Sequence, residues 1–162
     1  FPKRGRNPVF AQVGDRSGGS KELWVMAAEK AFAAYAGDSY RKIDGGYPSQ
    51  ALQEITGNLS MAGAPKGITI KDLSKWADKR LPMVVGTLSE EKIKKLAKKK
   101  KLDFLYASGT LVPGHAYWIE KVDMKAGTVT IANPWGWKEA HVTLTQKQFK
   151  RLLDSFHINT YR

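Results

Sequence analysis

Apolar residues recur at helical spacing near the start of the chain. Leu23, Trp24, Ala27, Ala28, Ala31, Ala34 and Tyr35 fall on one face. The stretch Lys21 to Gly37 therefore reads as a helix with Gly37 at its C-terminal cap. Its small alanines predict close packing on more than one side. A Gly45-Gly46 turn follows, then a short helix that starts at Ser49 and stops at Gly57. "TIKDLSKWADKRLP" is a second amphipathic helix and "MVVGTL" a buried strand. Further on the period changes from helical to alternating. "HAYWIEKV" and "TVTIAN" are rich in β-branched and aromatic residues, and "DMKAG" between them reads as a turn. "AHVTL" predicts a short strand, and "QKQFKRLLDSF" a final helix capped by the Thr145 hydroxyl. Before all of these, "PVFAQV" reads as a strand between loops. Helices come first and strands later, which points to an α+β fold with an antiparallel sheet carrying the hairpin.

Composition narrows the class. With 162 residues, 42% hydrophobic and 26% charged, the chain suits one domain, or the end of one domain and a complete second one. No apolar run is long enough to span a membrane. The chain opens on Phe1, so its start is expected to be a boundary set by processing or cloning. The absence of cysteine excludes disulfides and thiolate metal sites within these residues.

The net charge of +12 is concentrated in Lys92 to Lys101, with seven lysines in ten positions. Ser89, Glu90 and Glu91 precede it as a helix cap with favourable charges, so it reads as a solvated helix end. Nucleic acid, an anionic membrane or an acidic substrate is the alternative partner for Lys92–Lys101. No aromatic residue or arginine fork stands among these lysines to stack on or read a base.

The hairpin carries the candidate chemistry. If its turn centres near Lys125, opposite residues sum to about 250. His115 then faces Trp135, and Asn133 faces Tyr117. Period-two alternation puts His115 and Asn133 on one face as diagonal neighbours, within reach of a hydrogen bond. An imidazole can take the proton of a thiol and stabilise the thiolate. An amide oxygen on its other nitrogen would hold the ring in one tautomer. Trp135 could cover that bond and exclude water, and Gly114 leaves room for a substrate backbone. His141 and His157 have no companions that suggest a role. HxH and HExxH spacings, phosphate loops and G-x-S-x-G elbows are all missing, so no metal or cofactor is expected.

Several fragments in order resemble the calpain family of papain-like cysteine proteases. "ELWVMAAEKAFAAYAGDSYRKIDGGYPSQALQEITG" is similar to the family's Trp, Glu-Lys-Ala, Gly-Gly and Ser-x-Ala-Leu-x-x-x-Thr-Gly segment. "GHAYWI" resembles its catalytic-histidine motif, and "ANPWG" its Asn-Pro-Trp-Gly. The resemblance implies His115 as general base, Asn133 as its orienting partner and Trp135 as their shield. It implies Gly46, Gly114 and, less directly, Gly45 as substrate-binding glycines in a cleft for an extended protein or peptide substrate. It also implies that residues 1–46 are the tail of a first protease subdomain and 47–162 the second. The nucleophilic cysteine would then lie upstream, in the remainder of that first subdomain, and this fragment alone would be inactive. Calpains carry acidic, calcium-binding loops after Asn-Pro-Trp-Gly. Here Glu139 is the one carboxylate in "WKEAHVTLTQKQ", so calcium activation at that place is not expected. Typical calpains are cytoplasmic, and a compact microbial version would suit a secreted effector. The competing class is a non-catalytic binding module, a pseudoprotease on the same scaffold. An acyl-transferring relative such as a transglutaminase is disfavoured, because those orient histidine with Asp.

Overall fold

The computed structural model describes residues 26–135 and 141–160 with their side chains. It also describes the backbone of residues 3–4, 7–8, 14–15, 21–22 and 24–25. Most of "PVFAQV" and the Trp137–Ala140 part of the loop containing Glu139 lie outside the described residues, as does Leu23. The chain divides into two compact units, Phe1–Tyr47 and Pro48–Arg162.

In the first unit, β1 (Lys3–Arg4) pairs with β2 (Asn7–Pro8), and β3 (Gly14–Asp15) with β4 (Lys21–Glu22). Helix α1 runs Trp24–Tyr35, so it begins three residues later than its apolar spacing predicts, because Lys21 and Glu22 are already paired as strand. It ends as expected at Gly37, whose φ of +97° suits a residue without a side chain. The predicted packing face is not the buried one: Ala33 is buried, while Ala27, Ala28, Ala31, Ala34 and Tyr35 are exposed. Each alanine buries little area, so an alanine stripe has a weak drive to seek cover. A single 3-10 turn, Tyr40–Ile43, leads to Gly45 and Gly46.

The second unit is an α+β domain. Helix α2 (Pro48–Thr56), strand β5 (Ser60–Gly63), a 3-10 turn (Pro65–Gly67) and helix α3 (Ile70–Asp78) open it. Strand β6 (Met83–Thr87), helix α4 (Glu90–Lys98) and the short helix α5 (Phe104–Ala107) follow. Strands β7 (Ala116–Asp123), β8 (Thr128–Ala132) and β9 (His141–Thr145), helix α6 (Gln146–Leu152) and strand β10 (Leu153–Asn159) complete it. The strands form one antiparallel sheet in the order β5-β10-β6-β7-β8-β9.

Local chemistry accounts for most of these boundaries. Thr69 and Asp72 form a reciprocal capping box at α3, and Thr145 and Gln148 form another at α6. The Thr69 hydroxyl donates to Asp72 and holds its carboxyl below the usual range. Ser89 caps α4 by accepting from the Lys92 amide at 3.4 Å. In the hairpin turn, Asp123 accepts the Ala126 amide at 2.9 Å and Gly127 takes φ +65°.

Two further elements differ from the sequence reading. The final helix stops at Leu152 rather than Phe156, and β10 runs on from it into the sheet between β5 and β6. Burial decides this: Leu153, Phe156 and Ile158 are all nearly inaccessible in the strand. The second is β5, whose "SMAG" carries no strand signal and forms by pairing along the edge of β10.

One face of the sheet holds the core. Val85, Tyr117, Ile131 and Val142 point the same way and are almost fully buried. Trp76 of α3 stacks on Phe156 at 5.4 Å, and Phe149 and Leu152 of α6 close the same cluster. Tyr106 ties three segments together. Its hydroxyl donates to the Leu152 carbonyl at 2.5 Å and accepts the Leu88 amide at 2.9 Å. Burial pushes this phenol up to about 12.

His157 on β10 is 2% exposed, and burial lowers its pKa from the usual 6.5. Its Nε2 bonds Ser155 Oγ at 2.9 Å, and its Nδ1 has no partner among the described residues. The unfolded chain therefore takes up a proton at His157 before the folded chain does. Stability should fall as pH drops below about 6.5 and through the lowered folded value. His157→Gln should flatten that acid limb in melting curves taken between about pH 7 and 5. Parallel limbs in the two proteins would contradict the assignment.

Candidate active site

His115 stands just before β7 and Asn133 just after β8, so the inward parity of Tyr117 and Ile131 extends to both. Trp118 pairs with Ala132 and Ile119 with Ile131, each pair summing to the expected 250. Beyond Glu120 the register slips by one, at a bulge remote from the site. His115 Nε2 lies 2.9 Å from Asn133 Oδ1.

A second bond settles the direction of the first. The Trp135 amide donates to the same Asn133 oxygen at 3.1 Å. A backbone N–H meets only an acceptor, so that atom is the amide oxygen and His115 Nε2 must be the donor. Nδ1 is then the basic nitrogen, and it has no hydrogen-bond partner among the described residues. Asn133 is 8% exposed, so the bond lies in surroundings with little competing water.

Rings hold the imidazole on two sides. Trp135 lies against His115 with centroids 4.5 Å apart, and Tyr117 meets it edge-on at 5.2 Å. Trp135 keeps about half its surface open, at 51%. Gly114 has φ +62° and donates its amide to the Leu88 carbonyl at 2.9 Å. An added Cβ there would meet nothing within 4 Å, so backbone conformation rather than crowding calls for glycine.

Sequence reasoning missed Thr87. Its side chain is buried and accepts the His115 amide at 2.9 Å while donating to the Val112 carbonyl at 2.6 Å. Its own amide donates to the His115 carbonyl at 3.0 Å. Thr87 thus clamps both backbone groups of His115 to the end of β6. The signal was available: Thr87 is a polar residue at the inward parity of Met83 and Val85. Thr87→Val keeps the shape and strands two part-buried polar groups, the His115 amide and the Val112 carbonyl, at a cost of about 1 kcal/mol. A melting temperature equal to the unaltered chain's would contradict this.

The structure brings His115, Asn133, Trp135 and Gly114 together in the second unit. Gly45 (φ +87°) and Gly46 (φ +127°) belong to the first unit, where both take the backbone conformation that favours glycine. His141 has a companion after all, since its Nδ1 lies 2.6 Å from Glu120 at an exposed position on the sheet. Among the described residues, no three His, Asp or Glu side chains cluster as metal ligands. None of the described helices is long and apolar enough to cross a membrane.

An imidazole held at Nε2 by an amide oxygen, with no partner at Nδ1 among the described residues, has the chemistry to accept a proton there. The sequence pattern of the calpain family cysteine proteases matches residues 1–149. The chain belongs to that family, a family of cysteine peptidases. No curated protein matches it.

Proposed function

We propose that this chain supplies the base and its orienting amide to a calpain-like cysteine endopeptidase whose thiol lies in a preceding segment. Residues 1–46 would be the tail of the first protease subdomain and 47–162 the second, on a papain-like scaffold. His115 Nδ1 takes the proton of the incoming thiol, and the thiolate attacks the peptide carbonyl to give an acyl-thioester. The imidazolium then protonates the departing amine, and water completes hydrolysis with His115 acting again as base. Asn133 holds the tautomer throughout, Trp135 limits water around the pair, and Gly45, Gly46 and Gly114 contribute to binding an extended peptide backbone. No cofactor is needed by this chemistry. The observation that carries the reading is the His115–Asn133 bond, whose direction leaves the basic nitrogen without a hydrogen-bond partner among the described residues.

The test begins with the coding sequence before Phe1. A cysteine there, joined to this chain, should give peptide cleavage that the chain alone lacks. A joined protein that binds peptides without cleaving them would replace this reading with the pseudoprotease alternative.

A further inference from the structure

A second concave site lies in the Pro48–Arg162 unit, built by elements that the His115–Asn133 chemistry does not use. It is a pocket of about 600 Å³, a size common for ligand sites, between α4, the start of β10, the end of α6 and the 3-10 turn at Pro65. Its floor is apolar and recessed, formed by the buried Leu88, Leu152, Leu153 and Tyr106, with Leu96 on one wall. Its rim is cationic. Three of the rim cations are matched within the fold: Lys92 pairs with Asp154 at 2.5 Å, Lys95 with Glu91 at 2.6 Å, and Arg151 with Asp103. Lys66, Lys101 and Lys150 line the pocket without a salt bridge to any described residue.

We propose that this pocket binds an acidic peptide segment that inserts one large apolar side chain between flanking carboxylates. The unmatched lysines come from three places, the 3-10 turn, the loop after α4 and helix α6, and carboxylates spaced along a chain suit cations supplied from separate segments. Lysines are flexible point charges, suited to scattered carboxylates rather than to the bidentate reading of phosphate. The one aromatic ring in the lining, Tyr106, is buried with its hydroxyl committed at both lone pair and proton, which leaves no face for stacking a base. Membrane insertion needs apolar side chains that protrude, and the apolar floor here is sunk below the lysines. Charge complementarity thus selects the acidic partner, and the floor selects its apolar anchor. This site gives the lysine-rich segment a role as one wall of a binding pocket. The proposal stands whether or not the chain takes part in proteolysis, and its test reads binding alone.

Fluorescence anisotropy with this chain and a short fluorescein-labelled peptide, alternating Glu and Asp around one central Leu, tests it. The same peptide with Ser replacing Leu should bind roughly tenfold more weakly, the effect of one leucine left in water. Lys66→Glu combined with Lys101→Glu changes two exposed side chains and should weaken the Leu peptide about tenfold or more, with the circular dichroism spectrum unchanged. Equal binding of the Leu and Ser peptides would overturn the proposal, and so would a charge-reversed chain that binds as before. Capture of phosphatidylserine vesicles or single-stranded oligonucleotide, with no binding of the Leu peptide, would overturn it too.

Discussion

Replacing His115 by Ala, in the chain joined to the proposed upstream thiol-bearing segment, should lower kcat/KM for peptide cleavage by about 10²–10⁴-fold. The expectation follows from position. His115 Nε2 is committed to Asn133, and Nδ1 has no partner among the described residues. Removing the ring would delete the proposed base while leaving the sheet beneath it intact, because the backbone of His115 is held by Thr87. Binding of substrate should change much less than turnover, since the lost group acts on a proton in flight. Comparable cleavage by the unaltered and His115→Ala proteins would remove His115 from the mechanism.

Asn133→Ala is expected to have the second largest effect, a fall of about 10²-fold in kcat with KM nearly unchanged. Asn133 is almost fully buried and touches the imidazole rather than open solvent, so it acts through His115. Its loss frees the ring to rotate and to place its proton on Nδ1, where it cannot serve as base. Two donors, His115 Nε2 and the Trp135 amide, also lose their acceptor. Asn133→Asp restores that acceptor and should recover part of the rate. An Asp variant no better than Ala, or a loss confined to KM, would show that Asn133 does not act by orienting the base.

The hairpin was the most legible part of the chain, for a simple reason. Strand alternation has a period of two, so a shared parity between His115 and Asn133 survives small errors in the turn. The bulge at Glu120 is such an error, and it falls on the far side of the paired positions from the site. The caps at Ser89 and Thr145 were equally readable, because each acts on an amide only three residues away.

What escaped the sequence reading depended on distant partners. "RLLDSF" has no glycine or proline to end a helix, and only the waiting edges of β5 and β6 draw Leu153 onward into strand. The alternation of Phe156, His157, Ile158 and Asn159 was the available clue. Thr87 was passed over because its partner, His115, lies 28 positions away. The lysine-rich run read correctly as a capped, charged helix. That its lysines border a pocket with Lys66 and Lys150 depends on tertiary placement, which no local pattern encodes.

The account turns on which ring nitrogen of His115 carries the proton, and long-range proton–nitrogen NMR of the folded chain reads this directly. In the neutral imidazole the spectrum should show the proton on Nε2 and a bare Nδ1, and Asn133→Ala should let the proton exchange between the two. A proton resident on Nδ1 in the unaltered chain would contradict it.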